Sequence, residues 1–350
     1  MQTVGGRLLL AGLLASLAGP VRAAPSLADW EACSAIPADA ERLACYDRVS
    51  GRSQPEAPPP AVARPEPVPA PPEAERAAAE PELLSALSRQ WELDDAAKQG
   101  AFLFRPHHAN YFLPLKYSRA PNNTPFQGTF TQPDLGLDAV ETELQLSFKI
   151  KAMQGVFGHD NVDLWFGYTA TSFWQAYNRS ISSPFRETNY EPEAMLVFRT
   201  NYALGGWRGR LINLGFAHQS NGRGAALSRS WNRVYAQFGF ERGNLSLLVR
   251  PWYRIPESAA TDDNPDIQKY MGHGDLQLVY RKGENAYSLL LRNNLRSPGN
   301  RGALKLDWSF PLYGRLKGYL QYFNGYGESL IDYNFRQQSL GVGVSLTEGM

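Results

Sequence analysis

The chain has 350 residues, among them 31 Gly, 25 Pro, 17 Tyr, 17 Phe and 8 Trp, with a formal charge of +1. That balance excludes both the basic surplus of a nucleic-acid binder and the acidic surplus of a disordered, solvating chain. Beyond residue 20 no apolar run approaches the roughly 18 residues of a membrane-spanning helix, so a membrane protein of this composition has to cross with strands.

Residues 1–23 read as a signal peptide. Arg7 supplies the positive flank, Leu8 to Leu17 the apolar core, and Val21-Arg22-Ala23 the small-residue processing site. Residues 24–52 form a small segment that export would place in the periplasm, and it holds the chain's two cysteines, Cys33 and Cys45. In an oxidising compartment these are expected to pair as a disulfide; a metal or redox role lacks both His partners and a CxxC spacing. Residues 53–82 are dominated by Pro, Ala and Glu, which favour extended backbone and cannot bury a core, so they read as a linker. Residues 83–107 read as a periplasmic connecting segment with a short helix near 83–90.

From about residue 108 to the end, short alternating segments take over. In one of them Leu144, Leu146, Phe148 and Ile150 alternate with Gln145, Ser147, Lys149 and Lys151. A period of two is a strand signature, and helical spacing cannot produce it. Twelve such strands are predicted, near 109–118, 140–151, 162–176, 191–202, 209–219, 232–241, 244–255, 274–281, 285–293, 302–311, 315–324 and 337–346. Each is close to the roughly 9–11 residues that cross a bilayer at a tilt. Short joins such as Arg242-Gly243 alternate with long ones near 119–139, 178–190, 220–231, 256–273 and 325–336. The fold class is therefore all-β: a closed antiparallel transmembrane barrel with long loops at one end, taken as the external one. Lys149, Lys305, Asp307 and Lys317 fall on the inward face, implying a filled polar lumen and weighing against a passive channel.

The chemistry-bearing stretch lies at the long-loop end of the fifth strand. Ile212, Leu214, Phe216, His218 and Ser220 share one face there, and Asn232 opens the next strand on the face of Val234 and Phe238. A serine two residues from a histidine on one strand face, with an amide to orient the imidazole, is a candidate nucleophile–base–orienter set that faces lipid. Other signals carry bland readings. Asp262-Asp263-Asn264-Pro265-Asp266 lacks the spacing of an EF-hand loop and reads as an ordered external turn. His107, His108, His159 and His273 read as rim or loop residues, and Trp174, Trp231, Trp252 and Trp308 as girdle or packing residues.

Seven segments in order, SSPFRETNYEP at 182–192, HQSNGR at 218–223, SRSWN at 228–232, PWY at 251–253, TDDNPDI at 261–267, KYMG at 269–272 and GYGESLIDYNF at 325–335, resemble the outer membrane phospholipase A family of Gram-negative bacteria. The resemblance covers the chain from about residue 108 onward. It implies an outer-membrane enzyme of phospholipase A1 and A2 type that hydrolyses acyl esters of phospholipids and lysophospholipids, uses Ca2+, and is active as a homodimer. By the same resemblance Ser220 is the nucleophile, His218 the base and Asn232 the third member, with the Gly222 N–H in the oxyanion hole. Calcium falls to the Arg223 carbonyl, the Ser228 hydroxyl and, from the neighbouring subunit, Ser182. The chain departs from the family pattern at Gly224-Ala225-Ala226, where relatives carry an acidic residue. It also ends in Met350, without the terminal aromatic common in such barrels. The remaining readings are a channel or a catalytically silent scaffold.

Overall fold

The computed structural model describes residues 26–50, 84–128 and 136–347. The signal segment and the linker lie outside the described residues. The chain divides into two compact units, Met1–Glu80 and Pro81–Met350.

In the first unit, α1 (Leu27–Ser34) and α2 (Asp39–Val49) form a helical hairpin. The expected Cys33–Cys45 disulfide is present and spans 5.5 Å between Cα atoms. Trp30 stacks on Tyr46 at 5.8 Å between ring centroids, giving the pair of helices a second link. A segment this short has too little apolar surface to hold itself together, and a covalent staple is the usual remedy.

The second unit is the barrel. Its strands are β1 (Phe104–Pro106), β2 (Asn110–Ser118), β3 (Val140–Gln154), β4 (Val162–Trp174), β5 (Phe185–Leu204), β6 (Trp207–Ser220) and β7 (Ser230–Arg242), then β8 (Leu245–Ile255), β9 (Gly274–Lys282), β10 (Asn285–Asn293), β11 (Gly302–Tyr313), β12 (Leu316–Tyr326) and β13 (Arg336–Thr347). Each strand from β2 to β13 pairs antiparallel with its sequence neighbour, and β13 returns to β2 to close the ring. The three-residue β1 lies along β3 beyond the end of β2. All twelve expected strands form, within a few residues of their expected bounds. The largest shift is in β5, which begins at Phe185, so that the preceding loop is shorter than expected.

Closure gives each strand from β2 to β13 a partner on both sides, which is what permits a sheet to stand in hydrocarbon. Tight turns at Gly205-Gly206, Gly243-Asn244, Gly283-Glu284 and Gly314-Arg315 mark one end of the barrel, and each contains a glycine in the left-handed region. The opposite end carries the long loops, including one at 294–301 that the sequence reading did not count.

Side chains divide as the alternation requires. Phe112, Leu146, Leu214, Phe216, Leu306 and Leu340 are exposed on the outer wall, where lipid replaces water. Tyr287 stacks on Trp308 at 6.0 Å, and Phe310 packs against Trp308 in a tilted contact at 4.8 Å, forming part of an aromatic belt at the tight-turn end. Trp231 and Trp252 are interior packing residues instead, in edge-to-face contact at 6.1 Å.

The interior is polar and cross-paired. Lys116 meets Glu143 at 2.6 Å and Glu328 at 3.0 Å, Arg250 meets Asp275 at 2.8 Å, and Arg186 bridges Glu141 at 2.9 Å and Asp332 at 2.7 Å. Removing one partner from such a pair strands a buried charge and costs about 3–5 kcal/mol. His107 is not a rim residue: it is buried, with Nε2 2.8 Å from Glu193, whose other oxygen accepts from the Tyr235 hydroxyl at 2.8 Å. A histidine inside this lumen needs a polar partner, and Glu193 on β5 supplies it.

The segment before the barrel enters it. Helix α3 (Ala86–Trp91) is capped by Ser85, whose hydroxyl accepts the Ser88 N–H at 3.1 Å. Its Leu87 and Trp91 join an interior apolar cluster with Trp165, Val197, Leu211 and Leu248. Lys149, fully buried, places Nζ 3.1 Å from the Trp91 ring centroid. Just after the helix, Glu92 pairs with Arg105 and Lys151, each at 2.7 Å. The tight-turn end of the barrel is thus plugged by the chain's own connecting segment. The interior also holds a polar cavity of about 250 Å³ lined by residues such as Gln145, Arg233, Asp275 and Lys305.

Candidate active site

His218 and Asn232 are register partners on β6 and β7. His218 Nδ1 lies 2.8 Å from Asn232 Oδ1. Both share the outward face with Leu214, Phe216 and Val234, all exposed on the barrel wall. Ser220 occupies the next outward position of β6, two residues along at the strand's end. The structure therefore brings His218 and Asn232, the expected base and orienting amide, together and places Ser220, the expected nucleophile, on the same face. Asn232 Oδ1 can only accept, so it selects the tautomer with hydrogen on Nδ1 and leaves Nε2 as the base.

The loop between β6 and β7, residues 221–229, is tied down by Asn221. Its Oδ1 accepts the N–H groups of Arg223 at 3.2 Å and Arg229 at 3.0 Å, and its Nδ2 donates to the Leu227 carbonyl at 2.8 Å. One buried amide thus fixes both ends of the loop. Gly222 follows with φ +63, and a Cβ there would stand 3.2 Å from the Tyr190 ring. The positive φ favours glycine, and a larger residue would also have to displace the Tyr190 ring slightly. The Arg223 guanidinium donates to the backbone carbonyls of Phe185 at 2.9 Å and Arg186 at 2.6 Å, anchoring the loop to β5.

Ser228 Oγ donates to Asp263 at 2.6 Å. Asp263 belongs to the cluster read from sequence as an ordered turn, and most of that cluster is indeed structural. Asp262 binds Arg254 at 2.6 Å, Asn264 accepts the Ser230 N–H at 3.0 Å, and Asp266 accepts the Tyr333 hydroxyl at 2.6 Å. Asp263 differs because its partner is the loop beside the triad. It offers a carboxylate exactly where the sequence reading had only neutral oxygens; no spacing rule joins positions 228 and 263, so only the fold reveals the pair.

Ser182 is exposed on the separate loop before β5, in the left-handed region at φ +64. The structure does not join it to Ser228 within one chain. The second missed residue is Glu257, which accepts a hydrogen bond from Asn232 Nδ2 at 3.2 Å.

A closed, lipid-facing barrel with a serine–histidine–amide set at its loop rim defines a membrane-embedded barrel of the hydrolase kind. The family model described as phospholipase A1 matches residues 87–346. The putative phospholipase A1 of Neisseria meningitidis is 42% identical over 277 residues, covering 76% of this chain and 71% of the relative. The phospholipase A1 of Escherichia coli K12 is 44% identical over 208 residues, covering 59% and 70% respectively. Among solved structures, outer membrane phospholipase A from Escherichia coli superposes with a TM-score of 0.66 at 38% identity, covering 71% of this chain and 99% of that one. The calcium-bound dimer of the Salmonella typhi outer membrane phospholipase gives 0.67 at 37% identity, covering 75% and 98%. The chain belongs to the phospholipase A1 family.

Proposed function

We propose that this protein is an outer-membrane phospholipase A1 and A2 that hydrolyses acyl esters of phospholipids and lysophospholipids with a Ser220–His218–Asn232 triad, uses Ca2+, and works as a homodimer. The observation that carries the reading is the 2.8 Å His218–Asn232 contact on the outward wall, two residues along the strand from Ser220. An interior site would suit a soluble substrate; an outward one meets lipid directly.

In this reading Ser220 Oγ attacks the ester carbonyl carbon as His218 Nε2 takes its proton. The tetrahedral intermediate collapses, and the departing glycerol oxygen receives that proton from the imidazolium. Water, deprotonated by the same imidazole, then releases the fatty acid and restores Ser220. The Gly222 N–H is the oxyanion donor from the chain itself.

A hard cation suits the oxygens of the 221–229 loop: the Arg223 carbonyl, the Ser228 hydroxyl and, joined to it, the Asp263 carboxylate. Asp263 supplies a carboxylate that Gly224-Ala225-Ala226 do not. Bound there, calcium would supply positive charge for the developing oxyanion. Ser182 completes the ligand set from the neighbouring subunit, which links calcium use to dimerisation.

The acyl chain has a place to lie. A groove of about 700 Å³ runs over the outer wall past Ala194, Leu196, Leu214, Phe216, Val234 and Tyr253. Phe216 and Val234 are register partners one outward step from His218 and Asn232. The long-loop end faces the exterior in this reading, setting the triad against the outer leaflet. The filled and plugged lumen disfavours a channel. Calcium-dependent release of fatty acid from phosphatidylcholine micelles by the wild type, abolished in Ser220→Ala, tests the proposal; equal hydrolysis by both proteins would overturn it.

A further inference from the structure

The third member of the triad has a partner of its own. Asn232 pairs in register with Ile255, the last residue of β8. Side chains two residues apart on an extended chain point to one face. Glu257, two positions beyond Ile255, therefore falls beside Asn232 on the outward side, and its Oε1 accepts the Asn232 Nδ2 hydrogen at 3.2 Å.

The chemistry of that contact is directional. An ionised carboxylate only accepts hydrogen bonds, so the side of Asn232 that meets Glu257 has to be its NH2. The opposite side, 2.8 Å from His218 Nδ1, is then the carbonyl oxygen. This orientation makes Nδ1 the protonated nitrogen and leaves Nε2 with the lone pair that a base needs. Without Glu257, a rotated Asn232 amide would present NH2 to Nδ1 and favour the wrong tautomer, which removes the base.

We propose that Glu257 is a positioning residue of the catalytic machinery: it holds Asn232 in the one amide orientation that keeps His218 a base, and stations a negative charge behind the imidazolium. The inference rests on the triad reading above. A bare amide orients the ring but contributes no charge. Glu257 supplies the charge from a loop at the rim, so no carboxylate has to stand within the lipid-facing wall, where an ionised group is costly.

The test is steady-state hydrolysis of phosphatidylcholine in mixed micelles with calcium, using the full-length protein. Glu257→Ala is expected to lower kcat about 10-fold, in the range seen when an outer partner of a functional side chain is lost, with KM little changed. Glu257→Gln keeps an acceptor oxygen without the charge and is expected to recover part of that loss. In an Asn232→Ala background, Glu257→Ala is expected to add nothing, because its effect passes through the missing amide. A loss of equal size in both backgrounds, or a wild-type kcat in Glu257→Ala, overturns the proposal. Ser220→Ala keeps the two readings apart. If it stays active, the triad assignment itself fails; if it is inactive while Glu257→Ala matches wild type, only the role of Glu257 fails.

Discussion

His218 and Asn232 face each other across a strand pair, Nδ1 to Oδ1 at 2.8 Å, on the wall of the barrel that meets lipid. Adjacent strands set the backbone positions of this pair, and the rim loop reaches it through Glu257, which accepts from the Asn232 amide. Ser220 stands at the end of β6, where strand gives way to loop, and is still in register with Tyr190 and Ser230 on the two neighbouring strands.

Substitutions in the triad should separate bond-making groups from the orienting one. Ser220→Ala and His218→Ala are each expected to lower kcat by about four orders of magnitude. Asn232→Ala should retain at least about ten times the activity of either, since it positions the base and takes no proton. Chromogenic ester hydrolysis, with heat-modifiable gel mobility as the check on folding, gives the comparison. Near-wild-type turnover in all three would rule out the assignment.

Chelation of calcium should stop turnover while the barrel stays folded. Asp263→Asn is expected to raise the calcium concentration for half-maximal activity about 10-fold, through loss of the carboxylate beside Ser228. Calcium titrations of initial rate for the two proteins measure the shift. An unchanged midpoint would leave Asp263 a structural residue only.

Ser182 tests the dimer. Ser182→Phe is expected to depress calcium-stimulated turnover about 10-fold and to weaken the shift toward dimer that calcium produces by linkage. Sedimentation of detergent-solubilised protein, with and without calcium, paired with rates, is the measurement. Full activity from a species that stays monomeric counts against this scheme.

The plug should matter for stability and little for chemistry. Trp91 is buried among Trp165, His107 and Lys149. Trp91→Ala is expected to destabilise the barrel by about 3–5 kcal/mol, from the cavity and the lost aromatic seat for Lys149. Urea unfolding in detergent micelles reads the change, and kcat at low denaturant should stay near wild type because the triad lies at the other end of the strands.

The barrel was legible in the sequence because the pleat enforces a period of two, so Leu144 to Lys151 announce both their strand and its inward face. The placement of the proposed triad was legible because His218 and Ser220 sit on one strand and Asn232 on the next. Glu257 and Asp263 were not. Their partners, Asn232 and Ser228, lie 25 and 35 residues away, and each contact depends on how the loop after β8 folds back over β7 and the loop before it. The burial of His107 was hidden for a similar reason: Glu193, its partner, is 86 residues distant and reached across the lumen. Helix α3 was visible as a short helix, but which surface Leu87 and Trp91 would cover depends on the size of a lumen that only barrel closure defines.

Because His218 and Asn232 stand on the outside of the barrel, the enzyme's substrate concentration is a surface density. Collisions occur in two dimensions, and the quantity that drives the rate is the mole fraction of phospholipid around the wall. Adding inert detergent at constant bulk lipid therefore dilutes the substrate as surely as adding water would for a soluble enzyme. A membrane can silence such a protein by changing which lipids lie beside it, with no change in the protein itself.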